Sequence, residues 1–420
     1  MSGLGERGQG DVDRTGSGVP IVPAMDGFRA YAILGVVLLH VLGAAGILDA
    51  TAGTTGGILI WGVLGNIIDA FFIISGFVLF LPTVVRSGEF GPLGRFARAR
   101  AARLLPAYWL SLVVVLLLLA AKPPPPLALP GLTDIAVHLG ALQMPARMSE
   151  PSLLLGFGVN GPVWMISIIF GFYLVLPLIA RSYFRHPLLG LALALGVTLG
   201  WKALVLHTGL VDALTTEAFP RWALELTAID QLPGWALSFA LGMTGAWAYV
   251  RVLERYPREV VQRRALQLLP FALIAYVGLA YLYGRTSLQV AGAITGSLAR
   301  TDMLETALGS VSRAALMAAI VLGPIRLQRP FANRATSRIA EHSYGFYLAH
   351  AIVITYLLAF ASLPGDGSLL AFAVWSGIVI PASLAYAYVS RTLVEQPIRR
   401  RIQERERRDR EVGGPAERSG

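Results

Sequence analysis

An arginine and a histidine lie in the first apolar stretch of the chain, MDGFRAYAILGVVLLHV at residues 25–41. Eleven residues separate Arg29 from His40, which is about three helical turns, so both side chains fall close to one helix face. Asp26 falls on roughly the same side. Ionisable groups at bilayer depth are costly and are usually functional. We therefore treat His40 as a candidate general base and Arg29 as a candidate source of positive charge.

The second apolar stretch contains one carboxylate, in GNIIDAFFIISGFVLF. Asp69 lies twelve residues from the end of this stretch at Leu81, about 18 Å along a helix. His40 lies about 20 Å from the same side of the bilayer. This matched depth predicts a pair in which Asp69 fixes the tautomer of the His40 ring. The alternative is a hydrogen-bonded pair with a purely structural role.

Two arginines begin the third apolar stretch, in FARARAARLLPAYWL. Arg100 and Arg103 are three residues apart, so they share a helix face. Guanidinium groups bind phosphates through paired hydrogen bonds, which makes this face a candidate phosphate site. The alternative is a topology signal in contact with anionic lipid.

Weaker polar signals follow along the chain. Trp164 and Tyr173 lie in GPVWMISIIFGFYLVLP, where aromatic side chains also serve as interfacial anchors. In SYGFYLAH, helical spacing places Ser343, Tyr347 and His350 on one face, with helix–helix hydrogen bonding as the alternative to a functional role. Another candidate is the glutamate of VEQPIRR, Glu395, which would otherwise be an interfacial charge at a helix end.

The composition indicates which elements position these residues. Of the 420 residues, 55% are hydrophobic and 14% are charged, and the mean hydropathy is +0.62. This balance is typical of a multi-pass membrane protein. Because the chain has no cysteine, disulfides and thiolate metal sites are excluded, and we expect no metal. We predict an all-α integral membrane protein with ten spans, at residues 27–48, 57–81, 104–121, 163–180, 188–206, 233–250, 266–283, 306–323, 343–361 and 369–390.

Arginines are concentrated in alternate connections between these predicted spans. Spans two and three are separated by five arginines, and spans six and seven by five more. The positive-inside rule therefore predicts that both termini are cytoplasmic, in a cell-membrane protein. The net charge of +10 is explained by this pattern without nucleic acid.

The two ends of the chain are polar and differ from the membrane region. We expect residues 1–24 and 401–420 to be disordered cytoplasmic tails around one membrane domain at residues 25–400. No secretory signal peptide is expected, and either Met1 or Met25 could be the start.

Several of these segments, in this order, resemble the motifs of the acyltransferase-3 family of membrane acyltransferases. The opening stretch resembles the family's Arg, ten residues, then His. IDAFFIISGFVL, which contains Ser75, is similar to its second-helix motif, and RAARLLPAYWL to its Arg-x-x-Arg followed by Pro-x-Tyr. GPVWMISIIFGFYLVLP, SYGFYLAH and VEQPIRR resemble the later motifs. One departure concerns an acidic pair in the fourth motif of many members, where this chain has Ile169 and Phe170.

The resemblance implies a ten-helix enzyme that moves an acyl group from acyl-CoA, a co-substrate, to a hydroxyl of a carbohydrate or glycosylated small molecule. His40 would be the catalytic histidine and Arg29 its support, and Arg100, Arg103 and Tyr108 would lie at the donor. The implied version is a stand-alone one, without an appended extracytoplasmic domain. A second hypothesis is a transporter or flippase in which His40 and Asp69 relay protons. A membrane scaffold is a third, which leaves the intramembrane charges unexplained.

Overall fold

The computed structural model describes residues 18–150, 152–212, 221–290, 298–402 and 404. The regular secondary structure of these residues consists of helices. They are, in chain order, α1 (Pro23–Ala44), α2 (Ile47–Thr51), α3 (Thr55–Leu64), α4 (Ile68–Val85), α5 (Leu93–Ala121), α6 (Leu132–Leu139), α7 (Gln143–Ser149), α8 (Trp164–Arg185), α9 (Pro187–His207), α10 (Arg221–Ile229), α11 (Ala236–Arg255), α12 (Arg258–Val290), α13 (Leu298–Leu322), α14 (Ile325–Gln328), α15 (Arg334–Phe360) and α16 (Leu369–Ser390).

The prediction of an all-α integral membrane protein is confirmed. Nine helical segments in the described ranges are long and apolar enough to cross a membrane. They coincide with nine of the predicted spans. The remaining prediction, 306–323, coincides with the shorter apolar stretch Thr306–Leu322 within α13. The predicted tails lie largely in residues 1–17 and 405–420, which are outside the described residues.

Several helix ends follow local sequence. The α5 helix ends at Ala121, directly before Lys122 and four prolines, which cannot continue a helix. It begins at Leu93, earlier than predicted, because its arginine- and alanine-rich start consists of strong helix formers. Only His186 separates α8 from α9, which confirms a tight hairpin. The predicted second span is divided into α3 and α4.

Glycines allow α4 and α11 to pack closely. A Cβ atom at Gly76 would overlap the carbonyl of Phe239, and one at Gly242 would overlap the carbonyl of Ile73. Small residues at such crossings let helix backbones approach in membrane proteins. This contact fixes the position of the start of α4, where Asp69 lies.

The bundle has two ends that differ in charge. The end at which α1, α5 and α15 begin and α16 finishes, here called the basic end, brings Arg29, Arg103 and Arg391 together. At the opposite end, the buried His138 donates from Nδ1 to the carbonyl of Asp134 (2.8 Å) and accepts at Nε2 from the Gly156 N–H (3.0 Å). Burial lowers the pKa of His138, so the ring stays neutral and ties α6 to the segment before α8.

Candidate active site

A polar cavity of about 230 Å³, here called the vestibule, lies at the basic end. Its walls come from the starts of α1, α5 and α15 and from the segment that follows α16. The residues that line it are Asp26, Arg29, Arg103, Ser337, Ala340, Glu341, Ser343, Tyr344, Arg391, Glu395 and Arg399. Four residues predicted from the sequence therefore come together with Arg29 at this end of the bundle: Asp26, Arg103, Ser343 and Glu395.

A second cavity, here called the inner cavity, lies beside the vestibule and has a volume of about 90 Å³. The two cavities share Arg29, Arg103, Ser343 and Tyr344. The inner cavity is also lined by Phe71, Ser75, Val78, Leu79, Arg100, Leu104, Met165, Ile166, Ile169, Tyr173 and Tyr347. Residues predicted from the sequence thus line this cavity from α1, α4, α5, α8 and α15, and most of the remaining lining is apolar side chains of α4, α5 and α8.

Positive charge exceeds negative charge in the vestibule. Arg29 pairs with Asp26 (2.9 Å) and Arg391 pairs with Glu341 (2.8 Å). In the part of the chain that the structure describes, neither Arg103 nor Arg399 has a salt-bridge partner. Two guanidinium groups outside salt bridges, of which Arg399 is also attracted to the carboxylate of Glu395, can bind a phosphate or another anion in this partly enclosed space.

Arg100 extends this positive surface into the inner cavity. Its guanidinium lies 5.7 Å from the ring centre of Phe96, and the Phe96 and Tyr173 rings are 5.9 Å apart. The Nε atom of Arg100 is buried and has no hydrogen-bond partner within the described residues. A buried donor without a partner is costly, which suits a group that binds a ligand acceptor.

Glu395 lines the vestibule and lies in a turn of π-helix at Arg391–Glu395. It is buried and accepts a hydrogen bond from the Ser390 hydroxyl (3.3 Å). Turns of π-helix are rare and occur often at functional sites. The sequence indicated Glu395 as a candidate through the VEQPIRR segment, and the π-helix turn is seen only in the structure.

Tyr347 separates the inner cavity from a pair of histidines. It lines the inner cavity, and its hydroxyl donates to the carbonyl of Pro162. Its ring centre is 5.7 Å from that of His350, one turn further along α15. The His350 ring in turn lies 5.0 Å from the ring of His40 on α1. The face predicted for Ser343, Tyr347 and His350 therefore leads from the basic end to His40.

The imidazole of His40 has a free ring nitrogen. Its Nδ1 lies 2.8 Å from the carbonyl of Val36, which only accepts hydrogen bonds, so Nδ1 carries the hydrogen. Nε2 then holds the lone pair of the neutral ring. His40 has exposed surface although its ring packs against His350 of α15, and it lines neither of the two cavities.

The predicted pair between His40 and Asp69 is wrong. Asp69 is completely buried, receives a hydrogen bond from Ser238 on α11, and pairs with Arg313 on α13 (2.6 Å). The expectation used depth alone. Asp69 lies on the face of α4 that meets α11 and α13, whereas His40 lies against α15.

Two other predicted residues lie outside both cavities. The Tyr108 hydroxyl donates to the carbonyl of His138 (2.8 Å), in the buried layer beneath α6. Five residues beyond Arg103, it is rotated by about 140° around α5 and faces away from that arginine. Trp164 stacks on Trp235 with ring centres 5.8 Å apart, in an aromatic cluster with Phe72.

Sequence reasoning missed three arginines with structural consequences. Arg391 and Arg399 follow the predicted tenth span, and nothing in the sequence assigned either of them a role in the site. Arg313 had a clear signal, because it is a charged residue inside the predicted span 306–323. An arginine at that depth requires a buried partner, and Asp69 provides it.

The fold and this site define a helical membrane protein with a basic cavity near an intramembrane histidine. The family model described as acyltransferase domain matches residues 22–390, and the chain therefore belongs to the acyltransferase-3 family. The chain is 26% identical over 350 residues to the acyltransferase MdmB of Streptomyces mycarofaciens, covering 80% of this chain and 79% of that protein.

A second relative is the peptidoglycan O-acetyltransferase OatA of Listeria monocytogenes, 25% identical over 391 residues. The match covers 90% of this chain and 56% of OatA, so the chain spans about half the length of that protein. No solved structure matches the chain.

Proposed function

We propose that this protein transfers a short acyl group from acyl-CoA to a hydroxyl of a carbohydrate or a glycosylated small molecule. The observation that carries the proposal is the row of neighbouring groups that runs from the vestibule and the inner cavity, through the ring of Tyr347, to the His350–His40 pair. The names of the two relatives, an acyltransferase and an O-acetyltransferase, support the reaction class.

In this proposal the donor binds at the basic end. Arg103, Arg399 and Arg100 hold the phosphates of coenzyme A, and Arg29 adds to the same positive field. The thioester extends past Tyr347 towards His40. The name of one relative, an O-acetyltransferase, supports a short acyl group as the one transferred.

The chemical step follows from the free nitrogen of His40. Nε2 removes the proton of the acceptor hydroxyl as its oxygen bonds to the thioester carbonyl carbon. The carbon–sulfur bond then breaks, and the imidazolium returns the proton to the departing thiolate. An acyl-histidine intermediate is the covalent variant of the same scheme. We also propose that the basic end faces the cytoplasm, where acyl-CoA is available.

The test is acyl transfer by membranes that contain the protein. With acetyl-CoA and a glycosylated acceptor, we expect free thiol release and an acetylated product detected by mass spectrometry. His40→Ala should remain inserted and lose at least about 10²-fold in rate, the usual contribution of a general base. His207→Ala, an exposed histidine at the end of α9, is the control and should retain activity. A fully active His40→Ala protein would exclude the scheme.

The rival function is proton-coupled transport of an amphipathic molecule, for which the buried Asp69–Arg313 pair is the supporting observation. A transporter would move its substrate across sealed vesicles without any release of thiol from acyl-CoA. The same preparation therefore separates the two functions.

A further inference from the structure

The two histidines at the centre of the bundle make the same kind of internal hydrogen bond. Nδ1 of His40 lies 2.8 Å from the carbonyl of Val36, and Nδ1 of His350 lies 2.6 Å from the carbonyl of Tyr347. Since a carbonyl cannot donate, both Nδ1 atoms carry hydrogen. Each neutral ring therefore presents Nε2 as a hydrogen-bond acceptor.

The acceptor on His350 has no partner. His350 is completely buried, and its Nε2 has neither solvent contact nor a hydrogen bond within the described residues. An acceptor left in this state costs free energy, so it requires an explanation. Because the atom is closed to solvent, a neighbouring side chain is better placed than a dissolved molecule to supply a hydrogen.

His40 is the neighbour that gains such a hydrogen during the proposed reaction. The ring centres are 5.0 Å apart and the ring planes meet at 61°. Two imidazoles joined by an N–H···N bond of about 2.9 Å have centres roughly 5 Å apart, so the spacing of these two rings is compatible with such a bond.

Among the described residues, no carboxylate pairs with either ring. Asp69, the partner predicted for His40, is bonded to Arg313 and Ser238 instead. Tyr347, the titratable neighbour on α15, donates its hydroxyl to Pro162. His350 is consequently the acceptor available to a protonated His40.

We propose that His350 is a positioning residue that accepts a hydrogen bond from the Nε2–H of His40 after His40 has taken the proton of the acceptor hydroxyl. This proposal rests on the proposed function for its timing. The proton stays on His40 Nε2 while the carbon–oxygen bond forms and the carbon–sulfur bond breaks, and it then leaves with the thiolate. His350 itself gains and loses no proton.

The test measures the proton affinity of His40 without any substrate. Diethyl pyrocarbonate modifies neutral imidazole, and the extent of modification of the His40 peptide against pH, read by mass spectrometry, gives its midpoint. His350→Phe removes the acceptor and keeps a ring. We expect its midpoint to fall by about one pH unit, a tenfold loss of proton affinity. His350→Gln keeps an acceptor oxygen, so the His40 midpoint in this variant should stay near that of the wild-type protein.

His342→Phe is the matched control, because His342 lies on the same helix and its Nδ1 also bonds a carbonyl, that of Arg338 (2.9 Å). It should leave the midpoint unchanged. An unchanged His40 midpoint in a folded His350→Phe protein overturns the proposal. If the phenyl ring prevents folding, the same measurement is made on His350→Leu.

Activity provides a separate readout. In the same variant, the acid limb of the kcat profile should move to lower pH, while KM for acyl-CoA stays constant. If no acyl transfer is detected even in the wild-type protein, the proposed function fails, and the modification midpoint still decides whether the two histidines are coupled.

Discussion

Arg29 and His40 share a helix face but act at different depths. The α1 helix is unbroken between them, so eleven residues separate them by about 16 Å along the axis. A group that stabilises an oxyanion must lie about 3 Å from it. Arg29 in the vestibule therefore belongs with the donor phosphates, and the structure offers it no direct contact with a carbonyl at His40.

Arg103, one of the two vestibule arginines outside salt bridges, gives a prediction about donor affinity. Arg103→Gln removes a charge-assisted contact with phosphate, which is worth about 1.5–3 kcal/mol, so KM for acyl-CoA should rise at least about tenfold. Steady-state kinetics with varied acyl-CoA provide the measurement. Arg98→Gln, an exposed arginine of the same helix that lines neither cavity, is the control. Equal rises in KM for the two variants would show that donor affinity depends on the net surface charge and not on a contact made by Arg103.

The buried pair of Asp69 and Arg313 gives a prediction about stability. Asp69→Leu leaves an unpaired charge on Arg313 and should cost about 3–5 kcal/mol. The double variant Asp69→Leu/Arg313→Met removes both charges and should recover most of that loss, as measured by thermal unfolding in detergent.

The same double variant tests whether Asp69 has a catalytic role. If Asp69 only anchors α4 to α13, the stable double variant should retain acyl transfer. Inactivity in a folded double variant would instead connect Asp69 to the chemistry through a route other than a bond to His40.

At the level of the helices, the close contact between α4 and α11 positions Asp69 for its bonds to Ser238 and Arg313. Gly242→Ala places a methyl group against the carbonyl of Ile73 and should destabilise the protein by about 1–3 kcal/mol. Gly245→Ala, one turn along α11, meets only Phe77 at an ordinary contact distance of 3.5 Å. Gly242→Ala should therefore unfold at a lower temperature than Gly245→Ala. Equal unfolding temperatures would show that the α4–α11 crossing has room for a side chain at Gly242.

At the level of the whole molecule, the distribution of arginine predicts that the basic end is cytoplasmic. The chain has no cysteine, so single cysteines can report the location of each end. Ser87, after α4, and Ser149, at the end of α7, are both exposed and lie at opposite ends of the bundle. We expect an impermeant maleimide to label Ser149→Cys in intact cells and Ser87→Cys only after permeabilisation. The reverse pattern would invert the topology.

Much of the architecture was predictable because each signal is local. Apolar length gave the spans, the prolines after Lys122 gave the end of α5, and helical spacing gave the common face of Ser343, Tyr347 and His350. The proximity of Arg29, Arg100 and Arg103 could also be predicted, since all three lie in the halves of α1 and α5 that are nearer the basic end.

The sequence by itself determined the class of protein, its spans and the depth of each charged side chain. Only the tertiary structure decided the partners at that depth, His350 for His40 and Arg313 for Asp69. The physical reason is that helical periodicity fixes the height and direction of a side chain relative to its own axis. Which neighbouring helix the side chain contacts depends on the packing of the whole bundle.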